Sequence, residues 1–256
     1  MKRFVQFLGA ATLLLSFTQC SEDATTDSAP SVQGSVKLTA SINETRTELS
    51  GNDVLWKSSD RLGLFCGTKF VNAPFTTTTG GTTSADFTGD PTDPSGSEAE
   101  VFYAYYPYSA HAVLEGSVVS GLSIPAVQTF ATKSFATELC PMATSGADYS
   151  RLAFRTIGTV LKFQVTGQKN VTKIELTGND GEALAGDYTI DFVGETPEMK
   201  FSGTETTLTL TCSEPVALND ASATEFYFVL PAGIEFTKGI TVKVYTDDNA
   251  EPMVKE

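Results

Sequence analysis

Period two runs through most of the chain. From Val36 to Ile42, the apolar residues Val36, Leu38, Ala40 and Ile42 alternate with Lys37, Thr39 and Ser41. A strand with one face in a core and the other in water has this spacing, because successive side chains point to opposite faces. Leu161, Phe163 and Val165 alternate with Lys162, Gln164 and Thr166, and Ile240, Val242 and Val244 with Thr241, Lys243 and Tyr245. Shorter runs of the same kind stand at Tyr188-Ile190-Phe192, Leu208-Leu210 and Phe226-Phe228-Leu230. Turn formers such as Gly178-Asn179-Asp180-Gly181 and Thr246-Asp247-Asp248-Asn249 separate them. No stretch reads as a convincing amphipathic helix, and Val127 to Leu139 has room for a helical turn or two. The pattern predicts an all-β protein built of antiparallel sandwiches. Loops dominate up to Gly146, and strands follow one another with shorter turns after Tyr149. Two β-sandwich domains are therefore expected, 34–146 and 147–256.

The first residues follow a different rule. Lys2 and Arg3 precede an apolar run from Phe4 to Phe17, the layout of an export signal. The run is shorter than the roughly 20 residues a membrane span needs. It ends in Leu15-Ser16-Phe17-Thr18-Gln19-Cys20, which resembles a bacterial lipoprotein box of the loose type. That resemblance implies a signal peptide over 1–19, a lipidated Cys20 as first residue of the mature chain, and an outer-membrane anchor. Ser21, Glu22 and Asp23 resemble a signal for display on the outer surface. Residues 20–33 are Ser, Thr, Asp, Ala and Pro with almost no apolar mass, the composition of a flexible tether.

Charge narrows the partners. Thirty-one acids against 17 bases give a net charge of -14, which argues against nucleic acid and for a solvated exterior. With Cys20 lipidated, Cys66, Cys140 and Cys212 remain, too few for a disulfide scaffold; Cys66 and Cys140 can pair if they meet in space, and the favoured reading is three small buried hydrophobes.

Candidate chemistry is sparse. His111 is the only histidine, with no nucleophile elbow or cysteine-protease signature to join it. No Cys/His pairs have zinc spacing; Asp86, Asp90 and Asp93 crowd a loop as calcium ligands would but fit no EF-hand pattern, and read as a solvated loop. No enzymatic activity, metal or cofactor is expected. Trp56 ends an apolar run before the polar turn Lys57 to Asp60, where the Asp60 carboxylate suits turn amides. Phe102 to Tyr108 reads as a core strand stopped by Pro107, with Tyr106 in it, or as an aromatic platform for a sugar.

Three stretches taken in order carry a resemblance. Thr45-Arg46-Thr47 is followed by Val54-Leu55-Trp56-Lys57-Ser58-Ser59-Asp60-Arg61-Leu62-Gly63-Leu64-Phe65, then by Ala104-Tyr105-Tyr106-Pro107-Tyr108. This order resembles the fimbrillin-like (type V pilin and pilin-like) lipoproteins of Gram-negative anaerobes. Ser59 stands where that pattern usually has Gly. The resemblance implies two tandem transthyretin-like sandwiches and assembly by strand exchange with other pilin subunits. A cut after a basic residue, for which Arg46 is the candidate, would free the lipidated end and the first strand, Val36, Leu38, Ala40 and Ile42. Family chains usually carry a further strand beyond the position of Val244, whereas Asp247 to Glu256 is polar. The expectation is either an incomplete C-terminal domain or an accessory, anchor or tip subunit that adheres to a host or bacterial surface glycan or protein. The competing expectation is a glycan-binding surface lipoprotein that does not polymerise.

Overall fold

The alternating segments become strands because each can bury only one face, and the two cores that result share the chain between them. A computed structural model describes residues 34–42, 54–135, 140–248 and 251–256. Cys20, the signal and tether segments, and Arg46 lie outside the described residues. The described residues are all-β, with no helix among them. In chain order the strands are β1 (Val36–Ile42), β2 (Arg61–Cys66), β3 (Phe70–Thr77), β4 (Ser84–Gly89), β5 (Phe102–Tyr106) and β6 (Val113–Glu115). There follow β7 (Val118–Ile124), β8 (Val127–Thr129), β9 (Met142–Gly146), β10 (Arg151–Thr156), β11 (Gly158–Val165) and β12 (Asn170–Gly178). The last are β13 (Gly186–Asp191), β14 (Glu198–Phe201), β15 (Thr207–Ala217), β16 (Thr224–Pro231), β17 (Ile240–Thr246) and β18 (Met253–Lys255).

The first core fills a closed barrel of seven strands in the order β1-β10-β9-β5-β2-β3-β4. Its interior holds Leu38, Ala40, Trp56, Leu62, Leu64, Phe75, Phe87, Tyr106 and Phe154. Every strand of the barrel has a neighbour on both sides, with β3–β4 and β10–β9 paired over two residues each. The second core lies between the sheet β18-β17-β12-β15-β8 and the strands of β14-β13-β7-β6 and β11-β16. Ile174, Leu176, Leu208 and Leu210 from the first of these meet Val119, Tyr188, Ile190 and Phe228 from the others.

The segment Gly146 to Tyr149, where the sequence suggests a boundary, joins β9 to β10, two strands that pair within the barrel. Conversely β6, β7 and β8 come from before it and serve the second core. Both cores lie within one compact unit, Gln33–Glu256. β5 shows how they meet: Phe102, Ala104 and Tyr106 enter the barrel, while Tyr105 on the opposite face joins the second core and Tyr103 packs against it.

Two segments depart from the pattern read in the sequence. Val127–Thr129 is a strand rather than helical, because Gln128, 2% exposed, turns inward and binds the backbone of β16. Met253–Lys255, in the polar tail, pairs with Val242 to Val244 as a short edge strand with every residue exposed.

Candidate functional site

β1 is the only strand among those described that joins β4 to β10, and its residues are laid out for that task. It runs antiparallel to β4, from Val36 opposite Gly89 to Ser41 opposite Ser84, and parallel to β10, from Thr39 opposite Arg151 to Ile42 opposite Phe154. Alternation sends Leu38, Ala40 and Ile42 into the barrel, 1%, 0% and 7% exposed. Val36 is half-buried and packs against the same core. Burying Leu38 and Ile42 contributes about 1.5–3 kcal/mol each as an upper estimate. Ladder hydrogen bonds on both sides add about 0.5–1.5 kcal/mol apiece.

The inner surface under β1 is shaped by one side chain. Trp56 is 1% exposed, and its indole N–H donates to the Ala40 carbonyl at 3.1 Å. Its ring meets Phe87, Tyr106 and Phe154 edge-on, with centroids 5.0, 5.4 and 5.6 Å away. Phe87 stands opposite Leu38 and Phe154 opposite Ile42, so the rings that meet the indole come from the register positions on either side of Ala40. The β4 residue opposite Ala40 is Ala85, also buried. On the β10 side the residue opposite Ala40 is the buried Leu152.

The outer face of β1 is held by acids. Lys37 Nζ lies 2.8 Å from one Asp86 oxygen, and the Thr39 hydroxyl donates to the other at 2.9 Å. Ser35 donates to Asp90 at 2.8 Å, and Ser41 to the Leu152 carbonyl at 3.2 Å. The hydrogen bond from Lys37, then that from Thr39, holds the Asp86 carboxyl below the usual carboxylate range. Asp86 and Asp90 thus serve β1, while Asp93 accepts from the Ser95 amide and hydroxyl. No group of acids, histidines or cysteines among the described residues has the geometry of a metal site.

The turn after Trp56 anchors the indole. Asp60, buried, accepts from the Lys57 amide at 2.7 Å and from the Tyr106 hydroxyl at 3.0 Å. Ser59 within that turn adopts φ 79, the left-handed region that glycine enters without steric cost. Tyr106 therefore ties the turn to β5, and Pro107 ends that strand. Arg61 opens β2, pairs with Thr76 and lies over the Tyr108 ring, 4.4 Å from its centroid.

Trp56 links to Ala40 and Tyr106, Tyr106 links to Asp60, and Leu38, Ala40 and Ile42 belong to the same core. Asp86, expected in a loop with Asp90 and Asp93, lies instead in β4, where its place between the inward Ala85 and Phe87 turns it outward beside β1. Every Phe, Tyr and Trp among the described residues is buried or half-buried. His111 is exposed in a loop. Cys66 and Cys140 are buried in the barrel core, and burial pushes the Cys66 thiol up. Comparison of the chain with family models, curated proteins and solved structures returns no match.

Proposed function

We propose that this chain is a lipid-anchored, surface-displayed subunit of the fimbrillin-like kind, acting in pilus assembly and adhesion by strand exchange and not as an enzyme. The observation that carries the reading is that β1, the first described strand, completes the barrel alone, bonded on both edges. Its loss would open a groove lined by Phe87, Leu152, Phe154 and Trp56, with two unpaired strand edges. Such a groove favours β-strand addition, in which main-chain hydrogen bonds give affinity and alternate pockets give specificity. Arg46 follows β1 by four residues, so a cut there would free β1 covalently from the rest of the barrel. The lipoprotein-like Cys20 on the other side of β1 would stay with the released piece. Sugar stacking has less support, because Trp56 is enclosed and Tyr103 packs against Phe192 with centroids 5.0 Å apart.

A disulfide across the register partners Lys37 and Thr88 tests the mechanism. The Lys37→Cys, Thr88→Cys chain, cut after Arg46 and oxidised, should remain monomeric, whereas reductant should restore assembly into ladders on a native gel. Equal assembly with the disulfide closed and open would remove strand exchange. Membrane attachment is tested separately by Cys20→Ser, which should move the protein into the soluble fraction.

A further inference from the structure

We infer that the β1 groove accepts only a strand of defined pattern: large, then small, then large residues facing inward, with a base and a hydroxyl facing outward. The inference rests on the strand-exchange reading and names the partner it would take. The size rule follows from Trp56. The indole meets Phe87, opposite Leu38, and Phe154, opposite Ile42, and between them Ala40 stands in register with Ala85 on one side and Leu152 on the other. A donor displaced by two residues in either direction would bring a Leu-sized or Ile-sized side chain to the place of Ala40. There the closed packing offers no room, and overpacking a core is itself costly. Trp56 thus sets register through side-chain volume. Its hydrogen bond to the Ala40 carbonyl asks only for a backbone, so it binds any donor without selecting among sequences.

Direction needs a second device, because Leu-x-Ala-x-Ile reads nearly the same in reverse. The outer face supplies it. In the native direction Asp86 meets the Lys37 ammonium and the Thr39 hydroxyl together. Reversal about Ala40 would bring Ser41 to the place of Thr39 and Asn43 to that of Lys37, leaving Asp86 with no cation. The partner is therefore an extended segment carrying Lys or Arg, then Ser or Thr two residues later, on the face opposite its large-small-large triplet.

Synthetic peptides test both rules on the full-length chain cut after Arg46. A copy of Val36 to Ile42 should be retained. The copies with Ala40→Leu or Lys37→Glu should bind about tenfold less tightly or worse. The Lys37→Glu copy should recover on Asp86→Lys protein, where the charges are exchanged; Asp86 is solvent-exposed, so this change leaves the core alone. Equal retention of all three copies would overturn the selection rule and leave strand exchange standing. Retention of none would overturn both. The intact chain gives a readout that needs no exchange: Ala40→Leu and Trp56→Leu should each lower Tm, and together they should lower it by clearly less than the sum of the two. Independent, additive losses would remove the volume rule.

Discussion

Trp56 concentrates more of the barrel core than any other single side chain, meeting three aromatic rings and the backbone of β1. Trp56→Ala should cost about 3–5 kcal/mol, read as a fall in the urea midpoint with unchanged slope. The turn beside it carries strain of the opposite kind. Ser59 holds a positive φ while its amide donates to Thr77 O at 2.8 Å, which ties the turn to β3. Ser59→Gly should stabilise the fold by about 0.5–1 kcal/mol, visible as a higher Tm, since the left-handed penalty exceeds the added chain entropy. An unchanged or lower Tm would contradict this. Trp56 and the Asp60 turn were legible from an apolar run meeting polar turn formers. Gly63 was not: a Cβ there would overlap the Tyr105 ring, a contact between strands that spacing along one strand does not reveal.

Among the strands, β1 and β8 show two ways of being held. β1 is gripped along its outer face by Asp86, whose folded pKa is lowered by Lys37 and Thr39. A carboxylate with a depressed folded pKa contributes stability above its unfolded pKa of about 4 and loses it as pH falls through the folded value. Acid should therefore loosen β1, and Asp86→Asn should flatten that part of the stability curve while causing a small fall in Tm at neutral pH. An acid limb identical in the variant would show that Asp86 does not grip the strand. β8 uses an amide instead. Gln128 donates to the Val229 carbonyl at 2.7 Å and accepts from the Val229 amide at 2.9 Å, completing an edge of β16 with a side chain. Gln128→Leu should cost about 1–3 kcal/mol for each orphaned backbone group, measured by urea unfolding. The alternation that announced β1, β11 and β17 carried no signal for β8, because its three residues are too few for a period and its one inward residue is polar. β18 was hidden for a related reason: its three residues are all exposed and show no buried face.

Across the molecule, the all-β class followed from period two, but the way strands are shared between the cores did not. β9 and β10 return to the barrel after β6, β7 and β8 have joined the other core, and no local pattern encodes such a return. The same topology leaves β1 as the closing strand of a barrel whose other strands lie beyond Arg46 in the sequence. Intact, the chain fills its own groove and should be monomeric. Arg61, the rival trypsin site, begins a paired strand, and its carbonyl accepts from the Tyr108 amide at 2.9 Å, which protects it. The most direct measurement is native mass spectrometry of the full-length chain after limited trypsin, mixed with an isotope-labelled peptide copying Val36 to Ile42. The core should begin at Thr47 and gain the mass of one labelled peptide. A core that begins elsewhere, or one cut after Arg46 that never takes up the peptide, would contradict it.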